Sequence, residues 1–199
     1  MKHTILYVPG LMDKRKTAIW LQKQLFRSWS LFGNRVEIFR IGWAGDTPFA
    51  ARLEALLTRI SELKKQGSTV SLIGASAGAS AVINAYAERK KDINGVVCIC
   101  GALSGTESFP EAALTINPRF RESVKILPKA IKSLTSADRT KVMTMRPLVD
   151  GVVLPKNAIL EGARNKRIVS FGHLFSIGYF VYGRNWTIWS FLKKQARKS

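Results

Sequence analysis

Cysteine, histidine, acidic residues and long apolar runs are all scarce in this sequence, and each scarcity narrows what the chain can be. Two cysteines in 199 residues are too few for a disulfide-stapled secreted scaffold. No apolar run approaches the roughly 20 residues needed to cross a bilayer, and the short apolar run after Met1 lacks the features of a secretory leader. We therefore expect a soluble cytoplasmic protein with no metal site and no cofactor. Cys98 and Cys100 are spaced to share one face of a strand, as two buried free thiols.

Because acidic residues are few, the chain carries a large positive charge. Lys and Arg total 32 against 13 Asp and Glu, which gives a formal net charge of +19. Such a charge attracts nucleic acid, anionic lipid surfaces and acidic substrates. The basic residues are nevertheless spread along the chain, without an arginine-rich tract or a nucleic-acid-binding motif. We expect no specific nucleic-acid partner and only weak association with anionic surfaces, and the oligomeric state is left open.

Strand-like and helix-like patterns alternate along a chain whose length suits one core. Apolar, β-branched runs at residues 3–8, 35–43, 70–73, 95–101, 140–149 and 166–171 predict strands. Helical spacing at 17–32, 49–65 and about 79–91 lies between them. The alternation predicts a single domain over residues 1–199, a three-layer α/β/α sandwich with a mainly parallel central sheet.

Two segments depart from the alternation. Residues 102–139 lack a clean period, and we expect a small flap at about 105–135 whose basic face is either solvated or meets an acidic partner; its cations are Arg119, Arg121, Lys125, Lys129 and Lys132. The aromatic run 174–191, interrupted at 183–185, is either a final helix packed on the sheet or an interfacial membrane anchor.

A five-residue pattern carries the clearest chemical signal. Residues 74–78 read Gly-Ala-Ser-Ala-Gly and lie between a buried strand pattern and a helical pattern. In a sharp strand-to-helix turn, Ser76 takes a strained backbone conformation, and side chains at Gly74 or Gly78 would collide with the adjacent strand or helix. The turn presents the Ser76 hydroxyl at a helix N-terminus, where backbone N–H groups favour a developing oxyanion. The alternative is a small-residue turn that only packs a helix closely on a sheet.

Two other reactive residues also follow predicted strands. Asp150 ends the strand 140–149, and His173 follows the strand 166–171. Because the carboxyl ends of parallel strands share one edge of a sheet, Ser76, Asp150 and His173 are predicted to converge. Asp46 also follows a strand and is the rival acid. His3, the other histidine, begins a strand and lies at the opposite edge.

The sharp turn at residues 74–78 has the form of a nucleophile elbow. This elbow and the chain order Ser76, Asp150, His173 resemble the α/β-hydrolase superfamily. The resemblance covers most of the chain, apart from about 101–141. It implies a serine hydrolase that cleaves a carboxylic ester of a small molecule through an acyl-enzyme on Ser76. His173 would be the general base and acid, and Asp150 the orienting acid. A thioester, lactone or amide is the other acyl bond that such a site could cleave.

The resemblance also implies where the oxyanion and substrate lie. The oxyanion hole would be formed by the backbone N–H groups of Leu11 and Ala77, although Pro9 stands where many members of the superfamily have histidine. Side chains near the predicted edge could line a substrate pocket: Met12, Phe49, Phe109, Leu154 and Leu174. An alternative is a catalytically weak protein on the same fold that acts as a basic binding module for anionic membrane or nucleic acid.

Overall fold

The computed structural model describes residues 3–29 and 33–197, in which six strands form one sheet. The strands are β1 (His3–Val8), β2 (Asn34–Ile38), β3 (Thr69–Ala75), β4 (Ile93–Ile99), β5 (Val142–Val149) and β6 (Arg164–Phe171). They are ordered β2-β1-β3-β4-β5-β6, and every neighbouring pair is parallel. Leu6 of β1, for example, lies beside Glu37 of β2 and Leu72 of β3. The chain thus starts inside the sheet, moves one strand outward and then reverses direction across β1.

Helices cover both faces of the sheet. They are α1 (Lys16–Arg27), α2 (Phe49–Lys65), α3 (Gly78–Glu88), α4 (Glu111–Ile116), α5 (Pro118–Lys132), α6 (Ser136–Thr140), α7 (His173–Gly183) and α8 (Asn185–Ala196), with short 3-10 turns at Thr106–Ser108 and Pro155–Ala158. One core cluster joins α2, α3 and α5 to one face, and a second joins α1, α7 and α8 to the other. The predicted three-layer sandwich with a parallel sheet is confirmed.

Two predicted elements end five residues before their predicted last residue. The strand expected over 35–43 ends at Ile38, because the chain turns through Gly42, whose φ is +70°, and inserts Ile41 and Trp43 into the core as a loop. The helix expected over 17–32 runs from Lys16 to Arg27. Its predicted last residues, 30–32, lie outside the described part of the chain.

Part of the segment predicted as a flap, about 105–135, forms α5, which is packed into the core. This helix packs against α2 and α3 and buries Phe120, Val124 and Leu127 in the core. The helix continues past Pro128 because its apolar face is packed in the core. Pro128 itself faces solvent and removes only one backbone hydrogen bond. Arg119, expected on an exposed basic face, is buried instead.

The C-terminal aromatic run forms two helices, α7 and α8, divided at Gly183–Asn185. Residues Ile188, Phe191 and Leu192 of α8 pack in the core, as the helix-on-sheet prediction requires. Phe175 and Trp186 remain exposed. Among the residues described, none of the helices combines the length and apolarity that a bilayer crossing requires.

Candidate active site

Ser76 occupies a strained turn between β3 and α3. Its φ is +53°, a left-handed value that is uncommon for any residue with a side chain. The flanking glycines permit this turn, since a Cβ at Gly78 would overlap the carbonyl oxygen of Val8. A Cβ at Gly74 would lie 2.5 Å from the carbonyl oxygen of Gly78. The backbone N–H of Ser76 donates to the carbonyl of Ile99 at 2.9 Å, which ties the turn to the end of β4.

Asp150 and His173 meet at the same edge of the sheet. Asp150 follows β5, and its Oδ1 accepts hydrogen bonds from the backbone N–H groups of Val152 at 2.8 Å and Val153 at 3.0 Å. His173 is the first residue of α7 and follows Gly172, whose φ of +78° turns the chain from β6 into the helix. The Nδ1 of His173 lies 2.7 Å from Oδ2 of Asp150, and both side chains are buried.

This hydrogen bond sets the protonation of the pair. Burial alone raises the pKa of Asp150, but the hydrogen bonds from His173, Val152 and Val153 outweigh burial and hold that pKa below its ordinary value. The carboxylate is therefore ionised at neutral pH and favours the tautomer in which Nδ1 carries the proton. The other ring nitrogen, Nε2, is buried and has no hydrogen-bond partner within the described residues. It is available as a base.

The loop after β1 passes directly over Ser76. A Cβ placed on Gly10 would lie 2.9 Å from the Cβ of Ser76 and 3.3 Å from its Oγ, so only glycine fits there without displacement. The indole Nε1 of Trp43 donates to the carbonyl of Pro9 at 3.0 Å. The carboxylate of Asp13 accepts from the backbone N–H of Gly42 at 2.5 Å. These two bonds anchor the loop at residues 9–13 to the loop at 41–45.

A cavity of about 540 Å³ opens beside Ser76. Its floor is formed at β1 and β3, where the strand order reverses and where open parallel sheets bind their ligands. Ser76 and His173 line it together with Leu11, Met12 and Leu174, so the geometry groups these five predicted site residues. The further lining residues are Tyr7, Gly10, Arg15, Thr17, Ala18, Leu21, Gln22, Leu25, Ala75, Val152, Ile177 and Gly178.

Three residues predicted for the pocket are not among those lining this cavity. Phe49 begins α2 and stacks on Trp43 in the core, with ring centroids 6.3 Å apart. Phe109 packs edge-on against Phe120 at 5.1 Å. Leu154 is exposed and precedes the 3-10 turn at 155–158. The prediction placed them by sheet edge alone, whereas Phe49 and Phe109 pack with the helices on the far side of the sheet from α1 and α7.

The competing candidates lie apart from the pair. Asp46, the rival acid, is exposed in the loop between β2 and α2, whereas Asp150 contacts His173 directly. His3 is hydrogen-bonded to Ser71 Oγ at 3.0 Å, at the start of β1 and so at the opposite edge.

Cys100 is a neighbour of the pair that the sequence did not indicate. Its sulfur lies within 4.8 Å of ligand atoms of Asp150 and His173. Burial and the Asp150 charge raise the pKa of the Cys100 thiol, which stays protonated and so does not favour metal ligation. The prediction that Cys98 and Cys100 share a face is wrong, because β4 ends at Ile99 and Cys100 has φ +47°; the thiols enter opposite core clusters.

Solved structures resemble this chain over nearly its whole length. One, from a study of two metagenome-derived lipolytic enzymes, has a TM-score of 0.68 at 14% identity and covers 100% of this chain and 94% of its own. A monoacylglycerol lipase from Paleococcus ferrophilus gives 0.61 at 14%, covering 98% and 95%. Est1E from Butyrivibrio proteoclasticus, with ferulic acid bound, gives 0.65 at 13%, covering 93% and 88%.

The chain has the α/β-hydrolase fold, in agreement with the resemblance found in its motifs. At these identities the similarity establishes the architecture and not the reaction. No protein-family model and no curated protein matches the sequence.

Proposed function

We propose that this protein is a serine hydrolase that cleaves carboxylic esters through an acyl-enzyme on Ser76. The observation that carries the proposal is the buried hydrogen bond of 2.7 Å between His173 Nδ1 and Asp150. The other nitrogen, His173 Nε2, has no hydrogen-bond partner among the described residues. His173 and Ser76 line the same cavity. A nucleophile, a base and an acid that orients the base are the parts that acyl transfer requires.

The first half of the reaction forms the acyl-enzyme. His173 Nε2 takes the proton from Ser76 Oγ as that oxygen attacks the ester carbonyl carbon. Asp150, ionised because its pKa is held low, stabilises the imidazolium that results. The tetrahedral intermediate collapses when the C–O bond to the alcohol breaks, and the alcohol leaves with the proton from His173.

The second half releases the acid. Water enters where the alcohol was, His173 removes its proton, and the water oxygen attacks the acyl carbon. Collapse of this intermediate returns the proton to Ser76 Oγ. In both halves the oxyanion would accept hydrogen bonds from the backbone N–H groups of Ala77, at the start of α3, and Leu11, in the loop that passes over Ser76.

The choice of an ester rests on the similar structures. They include a lipolytic enzyme, a monoacylglycerol lipase and Est1E, which has ferulic acid bound. This is an argument by analogy, because one fold supports many reactions. The chemistry of the pair would serve a thioester, a lactone or an amide by the same steps.

The test is hydrolysis of p-nitrophenyl butyrate by the wild type, Ser76→Ala and His173→Ala, with fluorophosphonate labelling of each. We expect kcat to fall by at least about 10³-fold in both variants, and labelling to be lost in Ser76→Ala. His3→Ala is the matched control, since it removes the other histidine at the opposite edge of the sheet and should leave kcat unchanged. Circular dichroism checks that each variant is folded. A folded wild type that neither turns over nor labels would refute the proposal.

A further inference from the structure

The cavity beside Ser76 continues as an apolar groove between two helices. One wall comes from α1, through Ala18, Leu21 and Leu25, and the other from α7, through Leu174 and Ile177. Tyr7 and Ala75 of the sheet form its floor. Leu21 and Leu174 are more than half exposed, so the groove is open to solvent along the seam between the helices.

The groove has the length of an extended alkyl chain. Its residues on α1 run from Thr17 to Leu25, and eight residues at about 1.5 Å each span about 12 Å. Ser76 and His173 line the same cavity, so a chain attached to the ester carbonyl can enter the groove without passing through packed protein.

Small residues in opposite walls keep the groove open. Ala18 is on α1, and Gly178 is on α7. A Cβ added to Gly178 meets no atom within 4 Å, so the space beside it is empty rather than filled by a neighbouring side chain. A leucine at either position would occupy the groove from its own side.

We propose that this groove binds the acyl chain of the substrate, and that Ala18 and Gly178 select linear chains of about octanoyl length. The inference rests on the proposed function and extends it to the substrate class. Burial of one methylene is worth about 0.8 kcal/mol, which corresponds to about a four-fold change in kcat/KM. The acyl chain, rather than the alcohol, occupies the groove because it must stay bound while the alcohol leaves and water enters.

The first experiment varies the acyl chain on a constant leaving group. With p-nitrophenyl acetate, butyrate, hexanoate and octanoate, kcat/KM of the wild type should rise by up to about four-fold per methylene. Ala18→Leu and Gly178→Leu should lose at least ten-fold on octanoate and keep their rate on acetate. Ala51→Leu, the same substitution at an exposed position of α2 on the other side of the sheet, should behave like the wild type. A flat series, or groove variants that behave like Ala51→Leu, would overturn the proposal.

The second arm separates the two ends of the ester. The acyl group is held as acetyl and the alcohol is lengthened from methyl to octyl, with release of acetate measured by titration. We expect no rise with alcohol length and no selective effect of Ala18→Leu. If Ala18→Leu instead reduced turnover of octyl acetate and spared p-nitrophenyl octanoate, the groove would bind the alcohol, and the proposal would be wrong.

A binding measurement separates the proposal that the groove binds the acyl chain from the proposal that the protein is a serine hydrolase. Octanoate is titrated by calorimetry into Ser76→Ala and into Ser76→Ala combined with Gly178→Leu. We expect binding to the first protein and at least ten-fold weaker binding to the second. Absence of Ser76-dependent turnover would refute the hydrolase alone. Ser76-dependent turnover with equal octanoate binding by both proteins would refute the groove alone.

Discussion

Arg119 offers a sharp test of how the loops around Ser76 are supported. Its guanidinium is buried and reaches across from α5 to the loop after β2, where it donates to the carbonyls of Ile41 at 2.9 Å and Gly42 at 2.5 Å. It also donates to the carbonyl of Thr47 at 2.7 Å and to the Thr47 hydroxyl. The same loop carries Trp43, whose indole donates a hydrogen bond to Pro9. Pro9 precedes Gly10, the glycine that lies against Ser76.

Arg119→Met keeps a long apolar stem and removes the donors. Three carbonyl oxygens then lose a charged partner. Those of Ile41 and Gly42 keep hydrogen bonds from Arg52 Nε at 3.1 Å and from the Gly45 backbone N–H at 2.8 Å. The Thr47 carbonyl keeps none from the described residues, and a buried acceptor left unpaired costs about 1–3 kcal/mol. Relief of the guanidinium's own desolvation offsets part of this cost. We expect a net loss of about 2 kcal/mol in the free energy of unfolding.

Urea denaturation measures this loss. With a slope of roughly 1–3 kcal/mol per molar urea, the midpoint should fall by about 0.7–2 M while the slope is unchanged. Arg121→Met, two residues along the same helix, removes an arginine that pairs with the exposed Glu111 and should change stability by less than about 1 kcal/mol. If Arg119→Met cost no more than Arg121→Met, the buried guanidinium would not support the loop, and the reasoning would fail.

Two further predictions concern the elbow and the acid. Gly78→Ala should destabilise the fold by about 3 kcal/mol or more, because the new methyl group overlaps backbone atoms of Val8. Gly178→Ala should instead stabilise the fold by about 0.5–1 kcal/mol, because alanine has the higher helix propensity and its methyl group meets no other atom. Thermal melts that rank the two variants alike would contradict this. The folded pKa of Asp150 is depressed, so its stabilisation is complete above the unfolded value of about 3.9 and disappears as pH falls through the folded value. The stability gap between wild type and Asp150→Asn should therefore narrow on acidification below about pH 4 in chemical denaturation, and a gap that is constant or widens would count against the proposed hydrogen-bonded pair.

Features governed by short-range sterics were readable from the residues. The alternation of apolar strands with amphipathic helices predicted the parallel three-layer sandwich, and the bounds of α2 agree with the predicted 49–65. The requirement for Gly74 and Gly78 followed from local crowding in a strand-to-helix turn, and the close approaches at both glycines bear it out.

Features that depend on which helices and loops pack against each other could not be predicted from local patterns in the sequence. The basic residues of α5 look alike along the chain, yet Arg119 is buried and Arg121 is partly exposed, because only one of them faces the loop at 41–47. Trp43 looked like the end of a strand, but its indole enters the core and supports Pro9.

The fold class, the strained serine turn and the strand ends at which Ser76, Asp150 and His173 lie follow from local features of the chain. These are set by the period of apolar residues and by contacts between near neighbours in the chain. The position of the cavity between α1 and α7 depends instead on tertiary packing, because its walls come from segments about 150 residues apart. The packing of those two helices on one face of the sheet brings Ala18 and Gly178 to the same groove, and no local pattern encodes that meeting.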